Sequence, residues 1–91
     1  MIHTDINTML DAREQVHGEF FHTALIAQSI KSHLHPHLDP DADPIIPEAL
    51  DMIASKLARV VSGDALHLDH WDDIAGYATL VANFLRAKAD V

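Results

Sequence analysis

Two pairs of acidic residues have spacings that could support chemistry. Asp69 and Asp73 are four residues apart, and Glu48 and Asp51 are three apart. Either spacing places both side chains on one face of a helix. Paired carboxylates repel each other unless a cation lies between them, and Mg²⁺ prefers oxygen ligands and keeps waters for a phosphate. The alternative, which spacing alone favours, is that both pairs compensate a helix dipole on a solvated face.

The order of the two pairs along the chain strengthens the first interpretation. One helix and one turn separate Asp51 from Asp69, so a helical hairpin could bring the pairs face to face. Four carboxylates that converge on Mg²⁺ can hold a polyphosphate for metal-assisted hydrolysis. The sequence therefore predicts a candidate metal site between the last two helices.

The basic and histidine residues form further candidate sets. Arg13 and Arg59 could bind phosphate through two parallel hydrogen bonds, and Lys56 could act as a point charge. In so acidic a chain each of them could instead pair with a carboxylate. The histidine-rich segment around His35 raises a separate hypothesis, that the chain is a metal-binding protein, because imidazole binds Zn²⁺ and similar ions.

Composition limits the classes of function. The 91 residues suffice for one domain, residues 1–91, and no cysteine is present. Six basic residues against 14 acidic ones give a net charge of -8, which would repel a nucleic-acid polymer. The N-terminus does not read as a signal peptide, and the longest apolar stretch is too short to span a bilayer. We expect a soluble, cytoplasmic protein without membrane contact.

Hydrophobic periodicity predicts four helices, at about residues 5–16, 19–34, 47–62 and 68–89. Thr4 and Asp5 are candidate N-caps of the first helix, and Gly18 ends it. All four prolines lie in residues 35–47, which indicates a loop. The fourth helix is apolar on two sides, which is typical of a central helix or of one that packs on a second subunit. We expect an all-α, four-helix fold that forms a dimer or a larger oligomer.

Three segments together resemble a known family. Residues 56–59, Lys-Leu-Ala-Arg, and residues 69–78, from Asp69 to Ala78, resemble small phage and prophage proteins with a K-x-x-R helix followed by D-x-x-x-D-I-A-G-Y-A. Residues 13–19 resemble that family's R-x-x-x-Y-G-D element, with His17 for Tyr and Glu19 for Asp. The family is similar to MazG-like, all-α nucleoside triphosphate pyrophosphohydrolases. Those enzymes cleave nucleoside triphosphates, ribo- or deoxyribo-, into a monophosphate and pyrophosphate.

The resemblance implies a Mg²⁺-dependent hydrolase, with Mn²⁺ as an alternative ion and a nucleoside triphosphate as substrate. Asp69 and Asp73 match its second acidic motif and would be catalytic metal ligands. The first motif, E-x-x-E, is either replaced by Glu48 and Asp51 or lost, and Glu19 is a further candidate ligand. The implied phosphate-binding residues are Lys56, Arg59, Arg13 and His17. The alternative function is a non-catalytic helical dimer, either a nucleotide-binding relic or a phage accessory interaction module.

Overall fold

The structure, a computed structural model, describes residues 2–89, with side chains from residue 5 onward. It contains four α-helices and one turn of 3₁₀ helix, and residues 2–89 contain no strand. The prediction of an all-α, four-helix fold is confirmed. The helices are α1 (Ile2–His17), α2 (Phe20–Leu34), α3 (Ile45–Ser62) and α4 (Leu68–Ala89), and the 3₁₀ turn spans His35–His37.

Local sequence explains most of the helix ends. Gly18 ends α1 with a φ of 86°, a left-handed conformation that glycine adopts without steric cost. The Glu19 carboxylate then caps α2 by accepting hydrogen bonds from the Phe21 and His22 amides, at 3.0 and 2.9 Å. The predicted limits of α4 agree with the structure.

Two predicted helix starts were wrong. Helix α1 begins at Ile2, so Thr4 and Asp5 lie inside the helix and do not cap it. Helix α3 begins at Ile45 rather than at Pro47, because the first turn of a helix needs no amide proton from proline. Helix α3 therefore begins inside residues 35–47, the segment that the prolines had indicated as a loop.

Helix α3 is the central element, and it contacts α1, α2 and α4. Helix α4 packs on α3 through one side, where His70 is buried and Ile74 is half-buried. Several apolar side chains of α4 are exposed, and Trp71 and Leu85 retain 49% and 51% of their accessible surface. The buried apolar residues of the described chain are small: Ala27, Ala49, Ala54, Ala58 and Val60. No helix of the described chain is long and apolar enough to cross a membrane.

The two helical hairpins meet where Gly18 approaches Gly63. The Asp64 amide donates a hydrogen bond of 2.9 Å to the Val16 carbonyl, which ties the end of α1 to the turn after α3. A Cβ atom on Gly63 would collide with the Val16 carbonyl, and one on Gly18 would lie 2.6 Å from the Ser62 carbonyl oxygen. Gly63 has a φ of -117°, so close approach, and not a left-handed conformation, explains the glycine here.

We predict that Gly63→Ala lowers the free energy of unfolding by about 1–3 kcal/mol, because the added methyl group overpacks this crossing. Gly76→Ala is the matched control. Nothing lies within 4 Å of a Cβ atom at Gly76 in the middle of α4, so alanine there should stabilise the helix by up to about 1 kcal/mol. Urea unfolding followed by circular dichroism measures both changes. Equal stability of Gly63→Ala and the unmodified chain would contradict the close-approach argument.

Candidate functional site

Three imidazoles lie together where α1 ends and α4 begins. The ring centroids of His67 and His70 are 4.9 Å apart, those of His17 and His70 are 5.1 Å apart, and those of His17 and His67 are 6.4 Å apart. His70 is only 1% exposed, and it is the largest fully buried side chain among the described residues. Its Nε2 lies 3.1 Å from the Val16 carbonyl oxygen. Because a carbonyl only accepts, this nitrogen carries the proton and donates it.

His17 is the member of this cluster with an unsatisfied atom. Its Nδ1 is buried and has no hydrogen-bond partner. Burial lowers the pKa of His17 below its ordinary value of 6.5, and the neighbouring charge of Arg59 lowers it further. The neutral imidazole is therefore the favoured form in the folded chain.

The basic residues of α3 lie next to this cluster. Lys56 Nζ is 2.7 Å from Asp73 Oδ2 on α4, and the side chain of Lys56 is 12% exposed against 47% for Asp73. The hydrogen bond from Lys56 lowers the pKa of Asp73, and the charges of His70 and Arg59 act in the same direction. Asp73 therefore faces a region of positive potential.

An open cavity of about 490 Å³ lies beside this region, between α1, α2 and α3. Its lining combines basic side chains with an apolar wall. The basic ones are Arg13, His17, Lys31 and Arg59, and the apolar wall includes Leu10, Phe20, Ala24 and Ala27. Glu14 is the one acidic residue of the lining. Three of the four predicted phosphate-binding residues thus line one cavity, and the fourth, Lys56, is paired with Asp73.

The cations of this cavity have no carboxylate partner within the described residues. The ion pairs found there leave out Arg13, Lys31 and Arg59. The other basic residues are engaged: Lys56 binds Asp73, Lys88 binds Asp43, and Arg86 donates to Asn83. In a chain with 14 acidic residues, three unpaired cations around one cavity are unexpected.

The candidate metal ligands do not converge in this structure. Asp51 Oδ1 lies 2.6 Å from His35 Nε2, whereas Asp73 is paired with Lys56, five residues along α3 from Asp51. A helix rises 1.5 Å per residue, so the two pairs lie about 7.5 Å apart along α3. Asp69 is largely exposed, with Oδ2 3.8 Å from His67 Nε2, and Glu48 is exposed in the first turn of α3.

Glu19 is also occupied, since its carboxylate caps α2. The hydrogen bonds from the Phe21 and His22 amides lower its pKa. Within residues 5–89, no three His, Asp or Glu side chains are grouped so that they could hold a metal ion. In the single chain the predicted carboxylates are therefore not grouped around one ion position, and His33, His35 and His37 are exposed.

Comparison of the chain with protein-family models, with curated proteins and with solved structures finds no match. The site must therefore be interpreted from its own geometry.

Sequence reasoning missed Lys31 as a cavity residue and did not foresee that His70 is buried. Lys31 follows Ala24 and Ala27 at helical spacing, so the cavity-facing side of α2 was detectable from periodicity. For His70 the pattern gave no signal, because histidine is intermediate between the residue types that are usually buried and those that are usually exposed.

We predict that the chain loses stability as the pH falls from 7.5 to 5.5. The pKa of His17 is lowered on folding, so below pH 6.5 the unfolded chain binds a proton that the folded chain resists, and unfolding is favoured. Asp73 and Glu19 also have lowered pKa values, but these carboxylates change the free energy of unfolding only near and below pH 3.8 and pH 4.5, which are their ordinary pKa values. Urea unfolding at several pH values measures the loss.

His17→Gln should reduce this pH dependence, whereas His33→Gln, at an exposed position near the end of α2, should leave it unchanged. A pH dependence that is the same in both variants would show that His17 is not its source.

Proposed function

We propose that this chain binds an organic polyphosphate, of which a nucleoside triphosphate is the leading example, in the cavity between α1, α2 and α3. The observation that carries the proposal is the group of three unpaired cations, Arg13, Lys31 and Arg59, around that cavity. Each comes from a different helix, so the fold, and not a local run of basic sequence, brings them together.

Electrostatics favours an anionic ligand here. Like charges that share a cavity repel each other, and a bound anion removes that repulsion. Guanidinium groups bind phosphate oxygens through two parallel hydrogen bonds, and these charge-assisted bonds are stronger than neutral ones. Neutral His17 adds an imidazole beside the same anion without adding a further charge.

The shape and the apolar wall favour an organic phosphate over an inorganic ion. A volume of about 490 Å³ lies within the range of cavities that bind small molecules. The ring of Phe20 is 81% exposed at this cavity, and it offers a surface on which a base could stack. A long nucleic acid is a poor candidate because the net charge of -8 repels it at a distance. The proposal places the protein in the cytoplasm, with a small phosphorylated molecule as its partner.

Mg²⁺-dependent pyrophosphohydrolysis is the second candidate function. It is favoured by the resemblance of residues 69–78 to the MazG-like pattern and by the position of Asp73, which lies against Lys56. Magnesium would supply charge neutralisation and an activated water when bound. Binding without turnover is the first proposal, because the candidate metal ligands already have other partners: Asp51 bonds to His35, Asp73 to Lys56, and Glu19 caps α2.

Binding is tested by equilibrium dialysis with a panel of nucleoside triphosphates, monophosphates and inorganic pyrophosphate. We expect micromolar or tighter binding of a triphosphate, and a loss of about tenfold or more for Arg59→Gln, because a charge-assisted hydrogen bond contributes about 1.5–3 kcal/mol. Arg86→Gln is the matched control, since Arg86 bonds to Asn83 on α4 and does not line the cavity. Equal losses in both variants, or no binding at all, would refute the proposed site.

Turnover is tested in the same preparation by pyrophosphate release, with Mg²⁺ and with a chelator. The first proposal expects binding without release. Chelator-sensitive release that disappears in Asp73→Asn would instead establish the hydrolase and assign Asp73 to it.

A further inference from the structure

The single chain leaves more surface exposed than a folded monomer of its size. Its accessible surface is 6667 Å², whereas a globular monomer of 10.1 kDa leaves about 5,300 Å². Its radius of gyration is 16.1 Å, against about 12 Å for a compact chain of 91 residues. The excess surface, about 1,400 Å², is within the range of about 1,000–2,500 Å² that each partner buries in an obligate homodimer.

The buried residues lead to the same conclusion. The apolar core of the described chain consists of four alanines and one valine, and no leucine, isoleucine or aromatic apolar side chain is buried there. Burial of apolar surface is the dominant favourable term in folding, so this core leaves part of the available stabilisation unused. A second copy of the same chain is present wherever the first copy is, and it can supply the missing contacts to large apolar side chains.

One exposed apolar surface lies on the two helices that adjoin at the open cavity. It consists of residues from α1 and α2, here called the α1–α2 face: Ile6, Met9, Leu10, Phe20, Phe21 and Leu25. The exposed fractions of Phe20, Phe21 and Leu25 are 81%, 73% and 61%. Leu10 and Phe20 both line the cavity, so the surface on α1 adjoins the surface on α2 there.

Helix α1 needs a partner more than the other helices do. It is joined to the rest of the chain at its last turn, through the Val16 carbonyl and through the hydrogen bond of Thr23 to the His17 carbonyl. The molecule is longer than any one of its helices. Its longest dimension is 55 Å, whereas the longest helix, α4, has 22 residues and spans about 33 Å. Most of the stability of a helix in a protein comes from packing of its apolar face on other elements. Ile6, Met9 and Leu10 occupy one side of it at helical spacing and are exposed.

We propose that a second copy of this chain packs against the α1–α2 face and closes the open side of the cavity. The two copies bury Phe21 and the apolar side of α1 against each other in an isologous contact, and Phe20 lies at the edge of this contact, where it lines the cavity. The cavity lies at the edge of this contact, so the binding site is incomplete in one chain. This last point rests on the proposed function, whereas the contact itself does not.

The absence of cysteine allows a direct test. A chain with one introduced cysteine can be cross-linked by a bis-maleimide of short span only to another copy. Phe21→Cys lies on the α1–α2 face. Leu66→Cys, 91% exposed in the turn before α4, and Leu85→Cys, on the exposed side of α4, are controls of matched chemistry. We expect a cross-linked product of twice 10.1 kDa from Phe21→Cys and little from the other two.

Sedimentation equilibrium without any phosphate gives the second readout. The unmodified chain should be a dimer at micromolar concentration, Phe21→Asp should dissociate at least tenfold more readily, and Leu66→Asp should behave as the unmodified chain. A monomer at every concentration, or cross-linking through Leu85→Cys in preference to Phe21→Cys, would overturn the proposal.

Nucleotide binding is then compared between the two aspartate variants. Weaker binding by Phe21→Asp alone supports a cavity completed by the second copy. Unchanged binding by a dissociated Phe21→Asp would refute that completion while leaving the dimer intact. A dimer that binds no nucleotide would refute the proposed function and not the contact.

Discussion

The close crossing of the chain at Gly18 and Gly63 is the constraint on which the rest of the structure depends. Both positions exclude a Cβ atom, so the end of α1 and the end of α3 come within hydrogen-bond distance of each other. The Val16 carbonyl then accepts from the Asp64 amide and from the buried His70 side chain. One backbone oxygen thereby connects α1, the turn after α3 and the start of α4. Buried carbonyls of this kind must be satisfied, which makes the crossing specific as well as close.

This crossing also determines the electrostatics of the candidate site. It brings His17 beside Arg59 and His70, and it places α1 so that Arg13 reaches the cavity lined by Lys31 and Arg59. Most acidic side chains lie elsewhere on the surface, so a chain of net charge -8 still has a local region of positive potential. The local potential at the cavity, more than the net charge of the chain, determines which small ions bind there.

Sequence patterns predicted the elements of this fold better than they predicted the relations between them. Hydrophobic periodicity placed α3 and its end, and α4 was predicted with the observed bounds. The register of α3 against α4 was not predictable, because it depends on the conformation of the turn at residues 63–67, which hydrophobic periodicity does not show. That register pairs Asp73 with Lys56 and leaves Asp51 to His35, so the two acidic pairs do not face each other. Arg13, His17 and Arg59 were chosen from the sequence as phosphate-binding residues, yet their shared cavity and the part of Lys31 in it required the packing of three helices.

The surroundings of Asp73 bear on how a metal-dependent reaction could use this site. A carboxylate attracts a divalent cation, but here an ammonium group lies 2.7 Å from it, with Arg59 and His70 nearby. A free Mg²⁺ ion that approaches from solvent therefore meets repulsion from at least one full positive charge, and binding would require Lys56 to release Asp73. A nucleoside triphosphate reverses this balance, because its phosphates attract Lys56 and Arg59 and can carry Mg²⁺ on their own oxygens. If the proposed function holds, the polyphosphate would bind first, and any metal would enter with it.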